Sequence, residues 1–253
     1  MAELNGKIAF LTGGGRGVGV GIAMALAKAG ASVGLFGRTR ETLEGTAARI
    51  EGLGGRAMVC VGDVGVRANV EAAVAAVTDQ LGPIWALVNN AYAAQNTTTE
   101  DVTDTILDEA LRSCVYGSLY TMQACFPTMK EQGGRIINFG SGASTMGMVE
   151  LAAYNIAKEG IRGLTKTAAT GWGQYGITVN TICPLSPSDA YQRWFDGLDA
   201  EAQQKHLAGI PLRRMGDPEK DIGALVVFLA GPGGGFITSR TIHVDGGNCF
   251  YDR

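Results

Sequence analysis

The chain has 253 residues, 46% hydrophobic and 18% charged, enough to bury the core of one large α/β domain and too apolar for disorder. Its formal net charge of −3, from 21 basic and 24 acidic side chains with no block of either sign, excludes attraction to nucleic acid or an anionic membrane by field alone. No stretch reads as a signal core or a membrane span, so the expectation is a soluble, cytoplasmic protein.

In chain order, an apolar run at 7–11 reads as a buried strand. It is followed by Thr12-Gly13-Gly14-Gly15-Arg16-Gly17-Val18-Gly19 and by an alanine-rich helix at 22–29. Strand, glycine turn and helix in this order aim free backbone N–H groups and the positive helix end at a phosphate. Glycine is needed where such a turn is tight and a pyrophosphate approaches the backbone closely. A second strand at 31–36 leads to Gly37-Arg38-Thr39-Arg40 and a helix at 41–53. A third strand at 56–61 closes in Gly62-Asp63-Val64, and a helix at 66–81 precedes a fourth strand at 84–88 ending in Asn89-Asn90-Ala91. A long helix is predicted over 101–132, then a strand at 135–139, a helix at 151–175, a strand at 177–183, a helix at 218–230 and a strand at 241–244.

Such alternation means parallel strands with helices on both faces, and right-handed crossovers make the sheet doubly wound. Ligands of such sheets bind outside the carboxyl ends of the strands. Residues 185–214 interrupt the rhythm and carry Tyr191, Trp194 and Phe195 among charged residues. The segment reads as a lid over substrate; the alternative is a surface helix with its apolar face packed down. The five cysteines (Cys60, Cys114, Cys125, Cys183, Cys249) are scattered without a C-x-x-C pair, and His206 and His243 are the only histidines. That pattern argues for reduced thiols and against a disulfide framework, a metal site or a Ser-His-Asp hydrolase.

Tyr154-Asn155-Ile156-Ala157-Lys158 places a tyrosine and a lysine one helical turn apart, with Ser141 ahead of them just after the fifth strand. Taken with the glycine turn, Asp63-Val64, Asn89-Asn90-Ala91 and the terminal Val244-Asp245-Gly246-Gly247, these residues resemble the signature of the short-chain dehydrogenases/reductases over about 7–247. The resemblance implies a single Rossmann-type α/β domain with a doubly wound parallel sheet, and an oxidoreductase interconverting a ketone and a secondary alcohol. In that reading Tyr154 is the acid/base, Lys158 lowers its pKa and orients the cofactor ribose, and Ser141 hydrogen-bonds the carbonyl oxygen. The chemistry supports the trio independently. A tyrosine of pKa ~10 shuttles protons poorly at neutral pH. An ammonium ~4 Å away, worth about 4 kcal/mol at an effective dielectric near 20, lowers that value by about three units.

Where relatives using NAD carry an acidic residue after the second strand, this chain has Gly37, followed by Arg38, with Arg16 in the glycine turn. Two guanidinium groups at the adenosine ribose match a 2′-phosphate, so NADP(H) is the expected cofactor; the alternative is a pair of solvated surface arginines. Asp63 is expected at the adenine edge and Val64 on its ring. Asn89 is expected to help hold the central strands and the cofactor, and Gly13, Gly17, Val18, Gly19, Ala91 and Pro184 to complete the site with Tyr154 and Lys158.

Several positions depart from the family pattern. The helical asparagine is Cys114, ahead of Gly117, and a thiol lacks the paired donor and acceptor of an amide. The glycine after Asn89-Asn90-Ala91 is Tyr92. Leu185 follows Pro184 in place of glycine, Pro187 stands where a backbone N–H is expected, and Asp189 replaces a threonine. Ser186 or Ser188 could supply the lost donors. These changes leave room for C=N or C=C reduction, for an internal redox isomerisation, or for a weakly catalytic dinucleotide-binding scaffold or sensor. Tyr92, Met146, Met148, Tyr191, Trp194 and Phe195 are candidates to line the substrate site, which suggests a small apolar, cyclic or aromatic carbonyl or alcohol. The resemblance also implies a homotetramer or homodimer, with the helices near Leu111 and Leu164 and the segment near Gly247 in its interfaces.

Overall fold

A computed structural model describes residues 3–93 and 95–249, the side chains of Asp189 and Ala190 excepted. The strands are β1 (Ile8–Thr12), β2 (Ser32–Gly37), β3 (Ala57–Val61), β4 (Ile84–Asn89), β5 (Gly134–Phe139), β6 (Ile177–Pro184) and β7 (Thr241–Val244). They form one sheet in the order β3-β2-β1-β4-β5-β6-β7, every pair parallel. The helices are α1 (Gly17–Lys28), α2 (Arg40–Glu51), α3 (Arg67–Leu81), α4 (Asp104–Leu111), α5 (Gly117–Gln132), α6 (Gly142–Met146), α7 (Ala152–Trp172), α8 (Asp189–Asp196), α9 (Ala200–Leu207) and α10 (Ala224–Ala230). Among the described residues no helix is long and apolar enough to cross a membrane.

The expected doubly wound α/β sheet is present, and its two cores explain the apolar strand runs. Side chains of a strand alternate between faces. Ala9 and Leu11 of β1 pack with Ile22 and Leu26 of α1, Leu43 and Ile50 of α2, and Val226 and Leu229 of α10. Ile8 and Phe10 point the other way, into a cluster with Val70 and Val77 of α3, Met122 and Met129 of α5, and Ala168 of α7. A strand covered on both faces needs an apolar residue at every position, which is why 7–11 carries no alternation.

The elements depart from the predicted boundaries where glycine or local geometry hides the pattern. Helix α1 starts inside the glycine turn, at Gly17, rather than at residue 22. The helix predicted over 101–132 is broken: a π turn at Arg112–Tyr116 joins α4 to α5. Helix α6 has no counterpart in the prediction, and forms because the Ser141 hydroxyl accepts a hydrogen bond from the Ala143 N–H at 3.1 Å, capping it. The segment 185–214 holds two short helices, α8 and α9, capped by Ser188 and Asp199. The helix predicted over 218–230 opens with a second π turn, Pro218–Gly223.

Candidate active site

The chain winds from β1 outward to β3 and then returns to β4 on the other side of β1, so the loops after β1 and β4 diverge and open a crevice. Polar bonds lock its floor. The Thr12 hydroxyl accepts from the N–H groups of Asn90 and Ala91, both at 3.1 Å. The Asn90 side-chain amide donates back to the carbonyls of Thr12 and Gly13, at 3.1 and 3.2 Å. Gly13 turns at φ +70°, and a Cβ on Gly19 would lie 2.0 Å from the Gly13 carbonyl oxygen. Only glycine at both places lets the first turn of α1 close on the end of β1. That turn has no acidic residue and no side-chain cap; the Gly19 N–H bonds the Arg16 carbonyl at 3.1 Å, and the Gly17 and Val18 N–H groups stay available to an anion.

From this floor a cavity of about 800 Å³ extends over the ends of β1 to β4. Gly13, Arg16, Arg38, Asp63, Val64 and Ala91 all line it, so six of the residues expected at a cofactor meet there. Arg16 and Arg38 are exposed, and among the described residues neither has an ion-pair partner. The Asp63 carboxylate accepts from the Gly65 N–H at 2.8 Å, which orients it at the rim. Gly17, Val18 and Gly19 shape the turn without lining the cavity, and Pro184 ends β6. Thr105, Asp108, Glu109, Arg112 and Ser113 supply a wall on the α4 side that sequence reasoning missed, because nothing in an amphipathic helix says which ligand cavity it borders. A volume of this size, free N–H groups and two unpaired guanidiniums fit the adenosine and phosphate half of a dinucleotide. Among the described residues no cluster of His, Cys, Asp or Glu is placed to hold a metal ion.

The catalytic candidates lie farther along the sheet. Tyr154 and Lys158 share one face of α7, and the Lys158 Nζ lies 5.6 Å from the centre of the Tyr154 ring. Lys158 is 4% exposed, and its ammonium donates to the Phe139 carbonyl at the end of β5, at 2.8 Å. Ser141 stands two residues beyond that carbonyl, buried at the head of α6. Its oxygen accepts the capping bond, which leaves its own hydroxyl hydrogen to donate. Ser144 braces the loop by donating to the Ser141 carbonyl at 2.8 Å. Tyr92 projects into the same group: its ring meets that of Tyr154 edge-on, with centroids 4.9 Å apart. Cys114, on the first π turn, is buried beside Lys158; burial pushes its thiol pKa up while the lysine charge partly opposes the rise.

Asn89 is buried and turned into the sheet. Its amide donates to Asn138 at 2.9 Å and its oxygen accepts from Thr121 at 2.7 Å, and Asn138 in turn reaches Thr165 at 2.9 Å. This network ties β4, β5, α5 and α7 beneath the site. The signal for Asn138 was an amide between Ile137 and Phe139 in a buried strand, since a buried amide persists only when paired. The Ser186 hydroxyl donates to the Gly216 carbonyl, whereas the Ser188 oxygen accepts the capping bond of α8 and keeps its own hydroxyl hydrogen to donate. The side chain of Asp189 lies outside the described residues. Tyr191, Trp194 and Phe195 pack with one another and with His206, the Trp194 and His206 rings 5.0 Å apart, while Met146 and Met148 are exposed.

Comparison with known proteins agrees with this architecture. The family model described as Enoyl-(Acyl carrier protein) reductase matches residues 13–248. The chain is 38% identical over 255 residues to a 12alpha-hydroxysteroid dehydrogenase of Clostridium sp., with 98% of each covered. A solved short-chain dehydrogenase/reductase from Serratia marcescens superposes with a TM-score of 0.88 at 30% identity, covering 97% of this chain and 99% of that one. A blue fluorescent protein from a metagenomic library, solved in complex with NADPH, gives 0.86 at 33% identity, covering 97% and 99%. A doubly wound sheet with serine, tyrosine and lysine gathered at its carboxyl edge defines a class of nicotinamide-dinucleotide oxidoreductases. Within that class the chain belongs to the short-chain dehydrogenase/reductase family.

Proposed function

We propose that the protein is an NADP(H)-dependent oxidoreductase interconverting a ketone and a secondary alcohol. The observation that carries this reading is the buried Lys158, 5.6 Å from the centre of the Tyr154 ring and bonded to the Phe139 carbonyl two residues before Ser141, with a cavity nearby that holds two unpaired arginines. When bound, the nicotinamide ring supplies or accepts the hydride. Ser141 donates its free hydroxyl hydrogen to the carbonyl oxygen and fixes its position. Tyr154 gives that oxygen a proton in reduction and removes one in oxidation. Lys158, anchored by Phe139, retains two further N–H donors for the cofactor ribose and for the phenolate of Tyr154. Gly13, Gly17, Val18, Gly19, Ala91, Asn89 and Pro184 shape the dinucleotide site, Asp63 and Val64 receive the adenine, and Arg16 and Arg38 take the 2′-phosphate.

The 12alpha-hydroxysteroid dehydrogenase relative and the apolar candidates Tyr92, Met146, Met148, Tyr191, Trp194 and Phe195 favour a rigid apolar cyclic substrate, with 185–214 as its lid. The natural starting probes are a 12-oxosteroid, an acetoacetyl thioester and cyclohexanone. The chain is proposed to work in the cytoplasm as a homotetramer. A weakly catalytic dinucleotide sensor is the second reading, favoured by the Tyr92 ring against Tyr154. Titration with NADPH and NADH followed by single-turnover reduction of the three probes separates the two. The enzyme reading expects tight NADPH binding, hydride transfer, and loss of turnover in Tyr154→Phe by at least about 100-fold. Normal turnover by Tyr154→Phe would sink the assignment of the acid/base.

A further inference from the structure

Ser141, the group assigned to the substrate oxygen, sits between two glycines, and each glycine has a cysteine sulfur against it. A Cβ on Gly140 would lie 2.9 Å from the Cys183 Sγ of β6, and one on Gly142 would lie 2.4 Å from the Cys249 Sγ. Contacts that short leave no room for a side chain at either place while the sulfurs stay, so the sulfurs fill what the glycines leave open. Gly140 is fixed independently, because its N–H donates to the Ile182 carbonyl at 2.9 Å. Gly142 opens α6, the helix that Ser141 caps. The capping bond runs from the Ala143 N–H to the Ser141 oxygen at 3.1 Å, so a shift at Gly142 carries that oxygen with it.

Cys249 comes from far along the chain, yet its backbone is tied down. The Asp245 carboxylate accepts from the Gly247 N–H at 3.0 Å and from the Cys249 N–H at 2.7 Å, which folds 245–249 into a tight turn. Gly246 and Gly247 take φ of +63° and +86° to make it. The end of 185–214 backs this turn. Cβ atoms on Gly246 and Gly247 would lie 3.1 Å from Ile210 and 3.0 Å from Pro211, and the Leu212 N–H donates to the Gly246 carbonyl at 3.2 Å. Burial, and then the charge of Asp245, push the Cys249 thiol pKa up, so the sulfur packs as a neutral thiol. We infer that Cys249 is a positioning residue for the carbonyl chemistry: its sulfur, braced by the Asp245 turn, is the stop against Gly142 that sets where Ser141 presents its hydroxyl.

The inference rests on the oxidoreductase reading, and its test separates the two. Cys249→Ala removes the stop. With the ketone probes kcat should fall by about 10-fold at constant KM and constant NADPH Kd, since a misplacement of about 1 Å at a reacting group costs up to about 100-fold. Amide hydrogen exchange of the peptide spanning 140–144 should quicken in the protein without cofactor or substrate. Cys249→Ser, which keeps an atom at the γ position, should recover most of the rate. The geometry also names a repair. With the sulfur gone, the Cβ that remains at position 249 would lie 3.7 Å from a Cβ at position 142, an ordinary contact. Gly142→Ala combined with Cys249→Ala should therefore regain kcat, whereas Gly142→Ala alone should lose it. In a Ser141→Ala background Cys249→Ala should cost nothing further, because the two act through one group. Wild-type kcat and exchange in Cys249→Ala, an equal loss with and without Ser141, or no recovery in the Gly142→Ala pair would overturn the inference and leave the oxidoreductase reading standing. Turnover of no probe by the wild-type protein would overturn both.

Discussion

Arg38→Ala should separate the two nicotinamide dinucleotides. Arg38 and Arg16 line the cavity, both are exposed, and among the described residues no carboxylate is paired with either. A cation ~4 Å from a unit negative charge gains about 1 kcal/mol in bulk water and about 4 kcal/mol at an effective dielectric near 20. A half-open cavity lies between these limits, consistent with about 1.5–3 kcal/mol for a hydrogen bond to a charged group. Every 1.4 kcal/mol is about tenfold in affinity, so the NADPH Kd should rise by about 10- to 100-fold. NADH carries no 2′-phosphate, and its Kd should stay near the wild-type value. Titration by nicotinamide fluorescence reads both constants. Repeating it at high salt should narrow the difference, because the Debye length falls from about 8 Å to about 3 Å at 1 M. Equal weakening of both dinucleotides, or no weakening of NADPH, would refute the assignment of Arg38 and with it the NADP preference.

Gly19→Ala should lower the melting temperature and abolish dinucleotide binding. The new Cβ would lie 2.0 Å from the Gly13 carbonyl oxygen, backbone that cannot step aside, and overpacking of this sort costs about 1–3 kcal/mol or more. A variant with native stability and affinity would show that α1 is not seated on the turn as described. Cys114, whose thiol pKa is raised by burial, should resist iodoacetamide near neutral pH in the folded protein and react once guanidinium unfolds it. Peptide mass spectrometry reads this directly, and rapid labelling of native protein would contradict the packing around Lys158.

The parts of the fold that could be read from the sequence are those whose physics is local. The two-sided burial of β1, β2, β4, β5 and β6 writes apolar runs, and Gly13, Gly19 and the Tyr154–Lys158 spacing mark a turn and a helix face that few other residues satisfy. The π turn at Arg112–Tyr116 escaped because the helical pattern runs on either side of it, and one added residue changes the phase without changing the composition. Helix α6 was invisible because a segment as short as Gly142–Met146 shows no period, and only the Ser141 cap announces it. At the site, the residues at strand ends were legible, whereas the wall carrying Glu109 depends on where α4 lands after a long excursion. Tyr92 showed that a large ring enters the site; its edge-on contact with Tyr154 is a tertiary fact. Ser186 looked free to replace a lost donor, but the loop spends its hydroxyl hydrogen on the Gly216 carbonyl.

The same π turn makes one wall of the cavity depend on chain length. A π turn holds one residue more than the regular helix it interrupts. Removing a single residue from Arg112–Tyr116 would let α4 and α5 merge into one continuous helix, turning α4 by about 100° about its axis. Thr105 and Glu109 would swing off the wall and the Ser113 bonds to Ala93 would be lost, and Ala110 and Cys114 would shift against Ala153 and Ala157 of α7, while the sheet and the glycine turn stayed in place. A one-residue deletion is thus a discrete step by which descendants of this sequence can reshape the ligand chamber and the packing behind the catalytic helix at once, without altering the sheet.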